Sequence, residues 1–569
     1  MKNGAEFTAR AREKTQNACR AGPVVLISRF CTLISGFVPP SVPLTLAGCL
    51  LIFHRTMHER NGRAAGPARP RTPVWGQFVL PAAIGAAGAL LVLVNTIRWG
   101  AGLSQDSAYY ISAARNLLAG RGLTCFDGTP FVAWPPLFPL TLAGLGRLGI
   151  EPLAGAWLVN TLAFGVVVFL TGILLARSVR DRALVVIGTV AVMVSPAFFD
   201  TAITVLTEPV FALIIALLTL LLGRFSARGR MLDFLPIVAL TALAPLQRYM
   251  GMTIIPAAAL AILTARELPV RRRVACSVVL CLLSPLPIGL WLARNLRLSG
   301  TLTGERAGAF TALGPTALTL SRTILRWFLP ERADQVLGAF SIVLVLAAAA
   351  LTAWLVASAV RRRKGSGPAQ VRFALVAVSV YVAALLFAGA GYGNFEHDRF
   401  MAPVFFLAVL LLAVAAERVI QASERRGRNK VSIRALVLAA GILLLVYPAT
   451  QSVSVTRRGI LTGRGGFSHE SWKQNLVIRW LKANPISGRI LSNEPAAVYF
   501  LTGAAARKCP RRDDDPVRLR QTGGVATGDH LVWFRSVYHP NLMVPEELDR
   551  QFGLDVITSN SDGGVAVFR

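Results

Sequence analysis

The sequence predicts an α-helical protein that crosses a membrane many times and ends in a small α/β domain outside it. Hydrophobic residues make up 54% of the 569 residues and charged residues only 16%, whereas charged residues are about a quarter of an ordinary soluble domain. Eleven apolar runs are long enough to cross a hydrocarbon core of about 30 Å. From about residue 450 the chain changes to short apolar runs separated by polar turns.

The predicted spans lie between residues 76 and 450. They cover residues 76–98, 152–176, 183–199, 203–223, 232–247, 249–265, 274–293, 338–360, 371–391, 399–418 and 432–450. The stretch 232–265 must fold back near residues 246–249, because one helix of that length would measure about 50 Å. We therefore predict one transmembrane domain over residues 76–450.

Residues 1–75 form a basic N-terminal extension whose structure the sequence leaves open. An apolar run at residues 24–53 is interrupted by Arg29 and the pair Pro39–Pro40, and basic stretches lie on both sides. A signal peptide fits poorly because the run is long and no clear cleavage site follows it. One extra membrane helix, a hairpin and an unfolded extension are the alternatives.

Basic residues are concentrated in alternate short loops. These loops are residues 177–182, 223–230, 265–273, 361–367 and 424–430. By the positive-inside rule they are cytoplasmic, which places the first loop (99–151) and the tail (451–569) on the outer side. The sequence thus predicts a multi-pass protein of a bacterial inner membrane, with a cytoplasmic N-terminus and an extracytoplasmic C-terminal domain.

The net charge of +31 is interpreted as a topology signal and as contact with anionic membrane lipids. The sequence contains no recognisable nucleic-acid-binding module, so nucleic acid is not a predicted partner. Seven cysteines show neither a C-x-x-C pair nor the spacing of metal ligands. A bridge between Cys125 and Cys509, both outside the predicted spans, is open but not favoured.

Charged residues near the ends of the predicted spans gather on the outer face. The acids are Asp106, Asp127, Asp200, Glu208, Glu396 and Asp398, and the arginines are Arg248, Arg294 and Arg399. A charge costs about 2.5–3.5 kcal/mol at the centre of a span and less near the interface. Any single arginine is explained equally well by the tolerance of the membrane interface for charge and by a functional site. The whole set of charges on one face favours a functional site.

The first outer loop contains a predicted amphipathic helix with an acid in its first turn. Ser104 is a suitable N-cap, the helix runs to Ala119, and Gly120 follows as a stop signal. Its apolar face allows it to lie in the membrane interface. Asp106 then either complements the helix dipole or takes a proton from an acceptor hydroxyl, and the surrounding motifs favour the second role.

Several short motifs follow one another along the transmembrane domain. They are Asp106-x-x-Tyr109-Tyr110, Trp134-Pro135-Pro136-Leu137, Thr207-Glu208-Pro209, Gln247-Arg248-Tyr249, Ala293-Arg294-Asn295 and Asp398-Arg399-Phe400-x-x-Pro403. Their order resembles that in the GT-C membrane glycosyltransferases, the group with the lipid A aminoarabinose transferase and the protein O-mannosyltransferases. The resemblance covers residues 76 to about 505, and the order of the motifs carries it.

The resemblance implies a GT-C-like fold and an inverting hexosyl- or pentosyltransferase. Its donor would be a polyprenyl-phosphate-linked sugar and its acceptor an envelope lipid, glycan or protein. In such enzymes the first-loop aspartate is the general base, which gives Asp106 that role, and a second acid shapes the site, which matches Glu208. The resemblance and the neighbouring polar residues give these substrate-binding candidates: Tyr109, Tyr110, Arg248, Tyr249, Arg294, His397 and Arg399.

One position departs from the pattern of the family. Relatives often have Lys or another polar residue before Pro-Pro, where this chain has Trp134. Phosphate binding then falls more heavily on the arginines, which bind phosphate oxygens through two N–H groups. No motif requires a cofactor, although a divalent cation would suit the phosphate. The first-loop tyrosines are equally expected as interface anchors, and His397 as a hydrogen-bonded structural residue.

The tail is predicted to fold as a small α/β domain. The resemblance implies a lid that helps choose the acceptor, and a stabilising cap is the alternative. Helices are predicted at 472–483 and 496–501, and strands at 489–492, 531–534, 556–558 and 565–568. Two other functions stay open for the whole chain. A polysaccharide polymerase or ligase would have a dominant late outer loop, and a transporter would have its site at the bilayer midplane.

Overall fold

The structure is a computed structural model that describes residues 76–304, 312–338, 340–360, 366–392, 397–425 and 430–569. The predictions for residues 1–75 and for Glu396 lie outside the described residues. So do parts of the basic loops at 361–367 and 424–430.

Long apolar helices form the body of the protein, with shorter helices between them. In chain order they are α1 (Gly76–Thr96), α2 (Gln105–Leu118), α3 (Leu137–Arg147), α4 (Pro152–Ser178), α5 (Arg182–Met193), α6 (Pro196–Ile203), α7 (Glu208–Arg228), α8 (Met231–Gln247), α9 (Ile254–Leu263), α10 (Val270–Leu283), α11 (Leu286–Ser299), α12 (Leu313–Arg326), α13 (Glu331–Leu337), α14 (Phe340–Val360), α15 (Ser366–Tyr392), α16 (His397–Met401), α17 (Phe405–Arg425) and α18 (Lys430–Thr462), with 3₁₀ turns at Tyr249–Thr253 and Ala402–Val404.

Within the described ranges, eight helices are long and apolar enough to cross a membrane, or nine if the bent pair α5 and α6 forms one span. The protein is therefore a multi-pass membrane protein, but the predicted count of eleven is not confirmed. The predicted fold-back is present, because α8 ends at Gln247 and Arg248 is extended, with φ −150° and ψ 138°. The 17 residues of α8 are fewer than the roughly 20 that a full span needs.

Ion pairs connect loops that the basic pattern assigns to one side. Asp181 pairs with Arg434 at 2.7 Å, which joins the loop before α5 to the start of α18. Glu267 pairs with Arg372 at 2.8 Å, which joins the loop before α10 to the start of α15. These contacts agree with the predicted sorting of the loops and leave Glu208 at the opposite end of α7.

The first outer loop folds around α2 and α3. A capping box starts α2, because the Ser107 amide donates to the Ser104 hydroxyl at 3.3 Å and the Ser104 amide donates to the Ser107 hydroxyl at 3.0 Å. Tyr110, Phe131 and Phe138 are buried between the two helices. The loop is therefore a packed unit with its own apolar core, and the helix predicted from Ser104 is confirmed.

Backbone hydrogen bonds tie the start of this loop to two distant segments. The Gly102 amide donates to the Ile203 carbonyl at 2.8 Å, and the Val205 amide donates to the Gly102 carbonyl at 2.9 Å. On the other side, the Phe467 amide donates to the Leu103 carbonyl at 2.9 Å. We call these three hydrogen bonds the backbone ladder, which joins residues 102–103 to residues 203–205 and to Phe467. The ladder fixes the segment before α2 relative to the segment before α7.

The C-terminal part forms the predicted small α/β domain. Its elements are α19 (Glu470–Gln474), α20 (Leu476–Ala483), β1 (Ile490–Ser492), α21 (Pro495–Thr502), β2 (Ala506–Lys508), α22 (Pro516–Gln521), β3 (His530–Phe534), α23 (Pro545–Phe552), β4 (Leu554–Asn560) and β5 (Gly563–Phe568). The strands form one sheet in the order β2-β1-β3-β5-β4, with β2, β1 and β3 parallel and the other pairs antiparallel.

The structure differs from the predicted tail at several points. The predicted helix at 472–483 is broken at Asn475, whose side-chain oxygen caps a new helix by accepting from the Val477 and Ile478 amides, each at 3.1 Å. The strand β2 and the helices α22 and α23 were not predicted. The helix α18 continues to Thr462, beyond the end of the predicted span at residue 450. The domain packs on the first loop, because Phe467, Ala496 and Ala497 share its apolar core.

Gly466 provides a test of the backbone ladder. Its φ of 73° lies in the left-handed region, and a Cβ there would overlap the Leu103 carbonyl oxygen. We expect Gly466→Ala to lower the free energy of unfolding by about 2 kcal/mol or more, measured as a lower midpoint of thermal unfolding in detergent. The matched control is Gly465→Ala, where a Cβ meets no atom within 4 Å. Equal midpoints for the two variants would contradict this role of Gly466.

Candidate active site

Four charged side chains meet where the ends of several helices converge. Asp106 lies in the first turn of α2, Glu208 begins α7, Arg248 follows α8, and Arg399 lies on α16. Arg399 pairs with Asp106 at 2.7 Å and with Glu208, and Arg248 pairs with Glu208 at 2.6 Å. The structure thus brings together four of the residues that the sequence predicted, from four separate parts of the chain.

Burial differs sharply between the two carboxylates. The Glu208 side chain is 0% exposed, whereas the Asp106 side chain is 24% exposed. A fully buried carboxylate needs paired charges, because removing one partner of a buried ion pair costs about 3–5 kcal/mol. Glu208 is therefore fixed between two guanidinium groups, while Asp106 is held by Arg399 and remains open to a ligand.

Neighbouring polar and aromatic groups complete the support of the arginines. Arg248 donates to the Thr207 hydroxyl at 2.8 Å, and the Gln247 side-chain amide donates to the Thr207 carbonyl at 3.1 Å. The Arg248 guanidinium also lies 5.0 Å from the centre of the Phe400 ring, within the range of a cation–π contact. Sequence reasoning assigned no role to Thr207, Gln247 or Phe400, although each stands beside a predicted site residue.

The two tyrosines of the first loop lie inside its aromatic core. Tyr109 stacks on Trp134 with ring centres 4.4 Å apart, and Tyr110 meets Phe138 edge to face at 5.5 Å. Burial raises the pKa of both hydroxyls well above their usual range, so both stay protonated at neutral pH. Tyr110 is 2% exposed, which distinguishes it from an aromatic anchor in the headgroup layer.

Tyr249 and Arg294 both contact the backbone of the first loop. The Tyr249 hydroxyl donates to the Val132 carbonyl at 3.1 Å, and Arg294 donates to the Phe131 carbonyl at 3.0 Å. Arg294 therefore faces the loop and is not among the residues that line the two cavities described below. His397 begins α16, and its side chain lies outside the described part of the structure.

Two cavities meet at the Asp106–Arg399 pair. The larger one has a volume of about 980 Å³, and its lining includes Asp106, Asp200, Arg326, Trp327, Asp398, Arg399 and Tyr447. The smaller one has a volume of about 290 Å³, and its lining includes Asp106, Tyr110, Trp134, Arg248, Tyr249, Arg399 and Phe400. Asp106 and Arg399 thus form a shared wall that a ligand in either cavity can contact.

Among the described residues, no group of three or more His, Cys, Asp and Glu side chains could hold a metal ion. Positive charge next to Asp106 comes from the Arg399 guanidinium. Cys125 and Cys509 are both free thiols, so the bridge considered from the sequence does not form.

Comparison with known proteins identifies the fold. No family model matches the chain, and no curated protein sequence does. The crystal structure of ArnT from Cupriavidus metallidurans bound to undecaprenyl phosphate is 14% identical, with a TM-score of 0.53 over 87% of this chain and 98% of that chain. Its apo state gives 13% identity and a TM-score of 0.54 over the same shares, 87% and 98%.

A second kind of protein has a similar structure. The oligosaccharyltransferase of Archaeoglobus fulgidus, crystallised with Zn and sulfate, is 12% identical, with a TM-score of 0.50 over 79% of this chain and 68% of that chain. ArnT and the oligosaccharyltransferase are GT-C fold glycosyltransferases. This chain therefore has the GT-C fold, as the order of its motifs predicted.

Proposed function

We propose that this protein is an integral membrane glycosyltransferase that moves a sugar from a polyprenyl-phosphate donor to an envelope acceptor at the outer face of the inner membrane. The acceptor is a lipid, a glycan or a protein that carries a free hydroxyl. The observation that carries the proposal is the meeting of two cavities at one carboxylate and one guanidinium. A transfer between two substrates needs such a shared point.

The donor assignment is supported by the fold and by the charge of the site. One ArnT structure holds undecaprenyl phosphate, and this chain places Arg248 and Arg399 side by side on Glu208. Guanidinium groups bind phosphate oxygens bidentately and keep their charge at all physiological pH values. Trp134 lines the smaller cavity as an apolar wall, so the phosphate contacts fall to the arginines.

The transfer itself needs one proton movement and one leaving group. The acceptor hydroxyl gives its proton to the Asp106 carboxylate, and its oxygen forms a bond to the anomeric carbon of the donor sugar. The bond between that carbon and the phosphate oxygen breaks, and polyprenyl phosphate leaves with the electron pair. The arginines stabilise the charge that develops on the phosphate, and attack from the opposite face inverts the anomeric carbon.

Arg399 links the two halves of this reaction. At rest its guanidinium pairs with both Asp106 and Glu208, and an arriving phosphate competes for the same N–H groups. Because Glu208 is buried and Asp106 is partly exposed, the phosphate displaces the Asp106 carboxylate. Donor binding then releases the base that the acceptor hydroxyl needs.

The position of the charges supports a transferase over a transporter. A transporter site is expected near the bilayer midplane on interrupted helices, whereas Asp106, Glu208 and Arg248 lie at helix ends. Mass analysis of envelope lipids, glycans and glycoproteins from cells with and without this protein tests the proposal and identifies the product. Loss of one specific sugar modification is expected, and identical profiles would overturn the proposal.

Replacing the proposed base is the first prediction for this reaction. We expect Asp106→Asn to lower the rate of sugar transfer by about 10²- to 10⁴-fold, the usual contribution of a general base. Transfer is measured in membranes from cells that carry the variant, using the product identified by mass analysis. The matched control is Asp127→Asn in the same loop. Its side-chain oxygen accepts from the Thr129 amide at 3.0 Å, a contact that asparagine retains. Undiminished transfer by Asp106→Asn would refute the assignment.

Replacing the shared arginine is the second prediction. Lysine keeps the charge but cannot bridge two carboxylates with a planar fork, so we expect Arg399→Lys to lower kcat about a hundredfold. Arg297→Lys is the control, since Arg297 is an exposed arginine near the end of α11. Steady-state transfer kinetics in membranes separate the two variants. If Arg399→Lys retains the wild-type kcat, a point charge suffices and the bidentate role is wrong.

A further inference from the structure

A carboxylate from the C-terminal domain reaches the first turn of the helix that carries Asp106. The Gln105 side-chain amide donates to both carboxylate oxygens of Glu494, at 3.1 and 3.3 Å. These two residues are separated by 389 positions in the chain, and Gln105 directly precedes Asp106. We propose that Glu494 is a positioning residue, which acts through Gln105 to set the location of the Asp106 carboxylate.

The surroundings of Glu494 indicate that this contact is built into the fold. Glu494 is 7% exposed, and its backbone amide donates to the Ser492 hydroxyl at 3.0 Å. It occupies the N-cap of α21, yet its side chain makes no capping hydrogen bond to that helix. The Gln105 side-chain amide is within hydrogen-bond distance of the Glu494 carboxylate, and the His539 ring nitrogen lies farther away, at 3.9 Å. Burial raises the pKa of Glu494.

The loop before Glu494 is rigid, which makes the carboxylate a fixed reference point. Asn493 donates to the Phe534 carbonyl at 2.8 Å and to the Val537 carbonyl at 2.9 Å. Its side-chain oxygen also accepts from the Phe534 amide at 2.9 Å. The end of β1 is thereby fastened to the end of β3. A side chain that projects from this point has little freedom to follow a moving partner.

Gln105 itself lies at the rim of the site. It is exposed and lines the larger cavity together with Asp106 and Arg399. The backbone ladder restrains the residues before Gln105, and Arg399 restrains Asp106 from the opposite side. When a phosphate draws Arg399 away from Asp106, two side-chain restraints stay next to the base. One is the contact of Gln105 with Glu494. The other is the Ser107 hydroxyl, which donates to the Val205 carbonyl at 2.8 Å. A displacement of about 1 Å can cost a hundredfold in rate, so these restraints matter for turnover.

The domain also touches the first loop away from Asp106. The ring of Tyr499 stacks on Phe126 with centres 5.1 Å apart, and Arg115 donates to the Tyr499 hydroxyl at 3.4 Å. The shared apolar core therefore keeps the domain attached when Glu494 is changed. This separates the positioning role from simple attachment of the domain.

The test compares Glu494→Ala, Gln105→Ala, the double variant and the conservative Glu494→Gln in the full-length protein. This inference rests on the proposed transferase function. We expect each alanine variant to lower kcat about 10- to 100-fold with little change in KM, and the double variant to be no worse than either single one. Glu494→Gln should recover most of the rate, because its amide oxygen still accepts from Gln105.

Asp529→Ala is the matched control. Asp529 is also 7% exposed and belongs to the same domain, where it accepts from Arg489 at 3.0 Å. Asp529 precedes β3, whereas Glu494 follows the neighbouring parallel strand β1. The two carboxylates therefore lie at opposite ends of these strands. If Asp529→Ala lowers kcat as much as Glu494→Ala does, the effect is loss of domain stability and the positioning role is overturned.

Amide hydrogen exchange of residues 104–108 gives a readout that needs no substrate. Faster exchange in Glu494→Ala but not in Asp529→Ala supports the positioning role, and unchanged exchange together with unchanged kcat overturns it. The two proposals fail separately. Identical envelope profiles with and without the protein would refute the transferase proposal, and undiminished transfer by Asp106→Asn would refute the base role of Asp106. A fully active Glu494→Ala beside an inactive Asp106→Asn would refute only the positioning role.

Discussion

The buried carboxylate of Glu208 is the constraint on which one end of the helix bundle depends. It has no exposed surface and is paired with Arg248 and Arg399, and separating such a pair costs about 3–5 kcal/mol. The ends of α7, α8 and α16 must therefore stay together for Glu208 to remain neutralised. The same requirement brings Arg399 to Asp106, since one guanidinium serves both carboxylates.

The charge balance of this cluster determines how the proposed anionic donor would bind. Two carboxylates and two guanidinium groups cancel, so the cluster has no excess positive charge to offer a phosphate. An anionic donor must replace one of the carboxylates, and the partly exposed Asp106 moves more cheaply than the buried Glu208. In the proposed reaction, binding of the donor and release of the base thereby become one event, which favours the order donor first and acceptor second.

The sequence was sufficient to predict features that depend on local chemistry. The capping residue Ser104 and the break in the helix near Arg248 each follow from a few neighbouring residues. Arg248 and Arg294 were both predicted to bind the substrate, but only packing decides that one pairs with Glu208 and the other with the Phe131 carbonyl. The contact of Gln105 with Glu494 could not be predicted either, since no periodicity links residues so far apart in the chain.

The location of the larger cavity bears on how the C-terminal domain acts. That cavity is lined by residues of α6, α12 and α18, such as Asp200, Thr323 and Gln451, and none of its lining residues belongs to residues 470–569. The domain shares an apolar core with the first loop, so lifting it would expose buried side chains at a cost of about 25 cal/mol per Å². In the proposed reaction, a substrate that enters between helices reaches Asp106 without lifting the domain. That route suits a lipid-linked sugar, which stays in the membrane while its headgroup enters, and it favours a domain that supports the site over one that opens like a lid.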